Sequence, residues 1–177
     1  MPIKFAVALL LASTMPGMTA RVVAQEQGKT GATVEHILAY AGTWKVETES
    51  FATPHSKAGH EATTLRNDCW KSGAYVACRQ IVDNDPKILL VFTCSGEGNT
   101  CTSYQIPPDG SDAHAAKMTI EGDRWTFPWS VTGGGKTTWF RVVNVWASSK
   151  EIEYRQEFST DQVHWTQMAV GHEVKTE

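Results

Sequence analysis

Apolar and polar positions alternate with a period of two along most of the chain, in short runs rich in Val, Ile, Thr and aromatic residues. The runs predict strands at Thr43–Phe51, Glu61–Trp70, Ala74–Val82, Lys87–Cys94, Thr100–Ile106, Ala115–Glu121, Arg124–Ser130, Lys136–Ala147, Glu151–Ser159 and Val163–Val170. Turn clusters separate them, among them Asp83-Asn84-Asp85-Pro86, Ser95-Gly96-Glu97-Gly98-Asn99, Pro107-Pro108-Asp109-Gly110, Gly122-Asp123 and Gly133-Gly134-Gly135. Ahead of the strands, Val34, Ile37, Leu38 and Ala41 recur at helical spacing behind Thr33, a residue type suited to capping, so Thr33 to Tyr40 reads as one short helix. No second helical block follows, which excludes parallel βαβ units. Sequential strands with short connections predict an all-β, antiparallel up-and-down meander. About 8–10 such strands close most readily into a barrel, which removes exposed edges.

The N-terminus follows a different grammar. Lys4 precedes an apolar run from Phe5 to Ala12, and Val22-Val23-Ala24 supplies small residues where a signal peptidase reads. The sequence predicts a signal peptide over 1–24 with cleavage after Ala24, a polar flexible lead over 25–32, and a barrel domain over 33–177. The apolar run is shorter than the ~20 residues needed to span a bilayer, so no stable membrane insertion is expected. No Cys lies near the cleavage point, which argues against a lipid anchor. The full chain of 177 residues carries 16 basic and 19 acidic groups. Removing Lys4 and Arg21 with the signal lowers the net charge from -3 to -5, which argues against nucleic acid as a partner.

Export changes how the cysteines read. Cys69, Cys78, Cys94 and Cys101 form an even set bound for a periplasmic or extracellular compartment, where disulfides persist. Their spacings lack the close Cys-x-x-Cys pairs of a zinc site. A two-residue turn at Gly73-Ala74 would place Cys69 opposite Cys78, and one at Glu97-Gly98 would place Cys94 opposite Cys101. Hairpin geometry therefore favours these two bridges, and a one-residue shift of either turn leaves the other pairings open.

Alternation also nominates faces. Trp44, Val46, Thr48 and Ser50 share one face of the first strand and are the inward candidates. Trp139, Arg141, Val143 and Val145 lie opposite Phe140, Val142, Asn144 and Trp146, and Tyr75, Ala77, Arg79 and Ile81 opposite Val76, Cys78, Gln80 and Val82. An arginine on such a face has two readings. Arg79 or Arg141 could clamp a ligand carboxylate with bidentate donors. Alternatively, either pairs with Glu153 or Glu157, or turns outward and covers a Trp with its stem. Tyr104, Trp125, Phe127, Trp129 and Trp139 are core residues by default and cavity lining where bulk is short.

Other chemistry is sparse. His36, His55, His60, His114, His164 and His172 form no His-Glu-x-x-His pattern. No Gly-x-Ser-x-Gly is present, and Asp109, Asp112 and Asp161 fall in turns, where carboxylates cap backbone groups. The sequence contains no catalytic motif, so a non-enzymatic role is expected.

Gly42-Thr43-Trp44 at the start of the first strand resembles the opening of lipocalins and fatty-acid-binding proteins. In those proteins the Trp plugs one end of the barrel, the role implied for Trp44. The wider series is similar to an uncharacterised bacterial lipocalin-like family of calycin type. It includes Cys69-Trp70, Gly73, Val76-Ala77-Cys78-Arg79, Tyr104, Pro108-Asp109-Gly110, Gly122-Asp123-Arg124-Trp125-Thr126-Phe127, Arg141, Glu157-Phe158-Ser159, Asp161 and Trp165-Thr166. Val163 stands near where that family turns on a Gly, so a looser or longer last hairpin is expected. Ser159 to Trp165 also resembles the Asp-box turn of sialidase propellers, but one imperfect copy reads instead as a hairpin turn with an anchoring Trp. Haem barrels similar to nitrobindin use a histidine near the chain end, which would be His172, although Val46 and Thr48 replace the glycines those proteins carry.

The resulting expectation is an exported lipocalin-like barrel that binds a small apolar or amphipathic molecule. Arg79, Tyr104, Trp139 and Arg141 are the candidate ligand contacts, and no cofactor is required. The rivals are a haem barrel with His172 as ligand, and a filled structural barrel acting through its surface.

Overall fold

A strand that is apolar on one side only must bury that side, and sequential hairpins do so by curling until the last strand meets the first. The computed structural model describes residues 32–96, 98–111 and 113–177. The predicted signal segment, and all but the last residue of the lead, lie outside the described residues.

Ten strands follow a short helix, α1 (Val34–Ile37), and a 3-10 turn (Leu38–Tyr40). They are β1 (Gly42–Ser50), β2 (Gly59–Ser72), β3 (Tyr75–Val82), β4 (Asp85–Cys94), β5 (Thr100–Ile106), β6 (His114–Glu121), β7 (Arg124–Gly133), β8 (Lys136–Ser148), β9 (Glu151–Ser159) and β10 (Thr166–Lys175). Each strand pairs antiparallel with its neighbour in sequence, and β10 returns to β1 from Trp44 opposite Lys175 to Ser50 opposite Ala169. The result is a closed ten-stranded antiparallel barrel with one short N-terminal helix.

Local chemistry sets the registers. Asp83 and Asn84 both adopt positive φ, 49° and 68°, as the tight turn between β3 and β4 demands of its two central residues. Gly73, at φ 57°, turns β2 into β3 and sets Cys69 directly across from Cys78. Both expected disulfides are formed, Cys69–Cys78 and Cys94–Cys101, each between residues paired in register.

β2 runs two residues past each predicted end, β4 starts two residues early at Asp85, β7 runs on to Gly133, and the largest departure is in the last strand. The last strand begins at Thr166 and extends to Lys175, whereas alternation predicts Val163–Val170. The Asp161 carboxylate accepts the backbone N–H groups of Val163 and His164, both at 2.8 Å, and Ser159 Oγ accepts those of Asp161 and Gln162. Backbone held in this loop cannot join the ladder. At the far end, the backbone of β1 needs partners down to Trp44, which draws β10 on to Lys175.

The barrel has a floor and a mouth. At the floor, Val34 and Ile37 of α1 form one buried cluster with Val76, Phe92, Cys101 and Met118. An ion pair between Lys71 and Glu35 ties the helix to β2. Trp44 is fully buried beside this plug, and its indole N–H donates to the Tyr40 carbonyl at 2.9 Å. Tyr40, Trp125 and Trp146 pack with ring centroids 5.1–5.2 Å apart, and Trp44 meets Trp146 at 5.8 Å. The Tyr40–Trp125 and Trp44–Trp146 contacts are edge-to-face, which suits the quadrupoles of the rings, and the other two are tilted. Three of the seven tryptophans, Trp44, Trp125 and Trp146, thus build the floor, with both disulfides near it.

Candidate functional site

Above the floor the inward faces no longer meet, and a cavity of about 500 Å³ remains. That volume is in the range of small-molecule sites. Its apolar wall comes from Leu65, Ile88, Leu90, Phe92, Phe127 and Val142. Toward the mouth, Trp129 stacks on Phe140 at 5.4 Å, and His55 sets its ring edge-on to Phe140 and Phe158 at 5.2 and 4.6 Å. The loop carrying His55 is pinned by Ser56 Oγ, which donates to the Phe51 carbonyl at 2.7 Å.

Polar side chains interrupt this wall, and four of them are deeply buried: Ser103, which donates to the Ala116 carbonyl, and three whose polar atoms are not all satisfied. Asn67, Asn144 and Glu173 are 3%, 6% and 8% exposed. Both side-chain polar atoms of Asn67, the Oδ1 of Asn144 and the Oε2 of Glu173 have no hydrogen-bond partner. Asn144 does donate its Nδ2–H to the Tyr40 hydroxyl. Buried polar atoms in folded proteins are nearly always paired, so such a group around one cavity stands out. Burial pushes the Glu173 carboxyl up to about 7. The Tyr40 hydroxyl is raised by burial and then by the nearby Glu173 carboxylate.

Tyr154 shapes the same wall. It stands opposite Gly171 on β10, which in turn stands opposite Thr48 on β1. The Tyr154 ring lies across Gly171 and shares a hydrogen bond with the Thr48 hydroxyl. A Cβ built on Gly171 would overlap that ring, so the absence of a side chain there lets the tyrosine lie flat.

The residues nominated from sequence lie elsewhere. Arg79 and Tyr104 are exposed on the outer wall, while their neighbours Cys78, Gln80, Ser103 and Gln105 line the cavity. Trp139 is half-buried, and Phe140 and Val142 take the inward side of β8. Arg141 combines the two alternatives to ligand binding. Its Nε lies 2.6 Å from Glu157 Oε2, and its guanidinium sits 3.9 Å over the Trp165 ring. Arg155 reaches the other Glu157 oxygen at 2.9 Å. This clasp is on the outside and anchors the final hairpin. The arginines were nominated from apolar faces, but alternation identifies two faces of a strand without saying which one curls inward. On β8 both faces are rich in apolar side chains.

His172 is exposed, in register with Glu47 and Glu153 and beside a polar hollow on the outer wall. The inward positions flanking it are Gly171 and Glu173. A haem held by His172 in the lumen does not fit this arrangement, because that imidazole points away from the cavity. Among the described residues, no group of three or more His, Cys, Asp or Glu is placed to hold a metal ion. No helix among them is long and apolar enough to cross a membrane.

The residues missed in the sequence are Asn67, Asn144 and Glu173. Asn144 carried a usable signal: it is a polar residue on the face shared by Phe140, Val142 and Trp146. Glu173 lay beyond the predicted end of the last strand and carried none.

No protein-family model matches the sequence, and no curated protein matches it. Solved structures with a similar chain path include Rv2717c from M. tuberculosis, at 10% identity and TM-score 0.49 over 81% of this chain and 97% of that one. A redesigned β-barrel matches at 10% identity and TM-score 0.35 over 78% and 93%. The S-type phycobiliprotein lyase CPES from Guillardia theta matches at 11% identity and TM-score 0.37 over 82% and 94%. None of these likenesses bears on what the barrel holds.

Proposed function

We propose that the protein is an exported, lipocalin-like binding barrel that encloses a small amphipathic molecule in its lumen. The observation that carries this reading is the apolar cavity with Asn67, Asn144 and Glu173 on its wall, each holding a buried polar atom without a partner. Apolar burial supplies affinity, at about 25 cal/mol per Å² removed from water. The polar atoms set orientation, since a guest that satisfies them recovers the cost of burying them unpaired. The two disulfides support export, because such bonds persist in oxidising compartments. The opening Gly42-Thr43-Trp44, with Trp44 buried at the floor, supports the lipocalin-like assignment.

Two measurements test the reading. Native mass spectrometry of the purified protein, before and after organic extraction, is expected to reveal a bound small molecule. Uptake of N-phenyl-1-naphthylamine is expected to raise that probe's fluorescence, and Leu90→Trp, which fills the lumen, should abolish the rise. Absence of both a released molecule and probe uptake would leave a filled structural barrel as the better description.

A further inference from the structure

We infer that the guest is a cation: an amphiphile with a protonated amine, received by the Glu173 carboxylate and by the side-chain oxygens of Asn67 and Asn144. The inference rests on the luminal binding site proposed above and names the class of molecule that site takes.

Three features of the wall lead to it. The first is charge. Glu173 is the sole carboxylate lining the cavity among the described residues, and no Lys or Arg lines it. The basic side chain on that wall is His114, which lies at the mouth end of β6. A fatty acid or other anion would find no guanidinium or ammonium to receive it there, and above about pH 7 would meet the Glu173 carboxylate. The second is the sense of the free hydrogen-bonding atoms. Asn67 Oδ1, Asn144 Oδ1 and Glu173 Oε2 are acceptors, against one unpartnered donor on the cavity wall, Asn67 Nδ2; the other unpartnered donor among the described residues, Trp146 Nε1, lies in the floor outside the cavity lining. A primary ammonium brings three donors and no acceptor, which complements that set. The third is the apolar remainder. Leu90, Phe92 and Phe127 offer a surface for a hydrocarbon or aromatic tail, and aromatic faces also tolerate a neighbouring cation.

The surroundings of Glu173 leave it free for this role. The titratable groups facing it are the hydroxyls of Tyr40, from the 3-10 turn, and Tyr154, from β9, both held neutral and both raised further by its charge. Lys175, two residues on, turns to the Ala39 carbonyl and the face of Trp44. His172, Glu47 and Glu153 belong to the outer wall. Glu61, which also acts on Tyr154, lies on β2. Without a guest, burial keeps the carboxyl largely protonated below neutral pH. An arriving ammonium ionises it, and the proton leaves for solvent. The guest keeps its own protons, so charge and protons balance.

The test is competition of decylamine, decanol and decanoate, each below its micellar concentration, against N-phenyl-1-naphthylamine on the oxidised protein at pH 7.5. Decylamine is expected to bind at least about tenfold more tightly than decanol, and decanoate more weakly than either. Glu173→Gln should remove most of the preference for decylamine over decanol. Wild-type protein supplies a second readout that does not depend on a variant folding. Calorimetry at pH 6 in buffers of different ionisation enthalpy should show release of about one proton per decylamine and none with decanol. Equal affinities, tighter decanoate, no proton release, or an amine preference that survives in Glu173→Gln would overturn the inference. Naphthylamine uptake without any binding of decylamine would do the same while sparing the luminal site. Failure of all four probes to bind would remove the luminal site itself.

Discussion

Replacing Glu173 by Gln keeps the shape of the side chain and removes its titration, and the consequence for folding follows from the wall that buries it. In the unfolded chain the carboxyl titrates near 4.5, and in the barrel burial holds it near 7. Below 4.5 the group is protonated in both states and adds no pH-dependent penalty. Between 4.5 and 7 the unfolded chain loses its proton while the folded one keeps it, so stability falls as pH rises. Above 7 both forms are ionised and the full penalty remains. At about 1.4 kcal/mol per pH unit, the loss over that window comes to about 3 kcal/mol. The measurement is urea unfolding followed by tryptophan fluorescence, with disulfides intact, for wild type and Glu173→Gln at pH 4.5 and pH 8. Exposed groups titrate alike in both proteins and cancel in the difference. Wild type should lose about 3 kcal/mol more than the variant on going to pH 8. Parallel pH profiles would mean that the carboxyl is solvated in the folded barrel, and would refute the reasoning.

Other perturbations probe the remaining parts. Gly171→Ala should dislodge Tyr154 from the wall, break its bond to Thr48 and cost about 1–3 kcal/mol, with lower probe uptake as the ring enters the lumen; an unchanged melting temperature would contradict this. Replacing either cysteine pair by serine, Cys69 with Cys78 or Cys94 with Cys101, should lower stability by about 2–3 kcal/mol in denaturant titrations, and a loss near zero would count against these bridges constraining the unfolded chain. Arg141→Ala should cost about 1–2 kcal/mol by leaving half-satisfied a buried Glu157, yet leave naphthylamine uptake unchanged; reduced uptake would return Arg141 to the list of ligand contacts.

The fold was legible because its signals are local. Alternation, the Asp83-Asn84 and Gly73 turns, and the cysteine spacings each concern a few adjacent residues, and together they define a meander that closes most readily into a barrel. The last strand was misplaced because Asp161 and Ser159 compete for backbone N–H groups that alternation would assign to the ladder. The site was far less legible. Whether Arg141 or Val142 faces the lumen depends on the curl of the whole sheet, which no single strand encodes. Glu173 faces the lumen because β10 extends past Val170 to pair with β1, an extension that alternation does not encode. The partners of Arg141 were foreseeable, and Glu157 was among them. The polar atoms left over inside were not, because what identifies them is a contact that is missing.

The seam between β1 and β10 also has a kinetic consequence. Every other pairing in the barrel joins strands adjacent in sequence, whereas Thr176 and Thr43, bonded beside the seam, are 133 positions apart. Hairpins form quickly, and contacts that close a long loop form late. The β2–β3 and β4–β5 hairpins carry the two disulfides, so oxidation can fix the registers of these hairpins while the cylinder is still an open sheet. The lumen comes into being only with the final stitch. Until β10 docks, Glu173 is in water and ionised at neutral pH, so below about pH 7 closure takes up a proton at this carboxyl, and above it closure buries the charge. The rate of that last step should therefore rise as the solution is made mildly acidic.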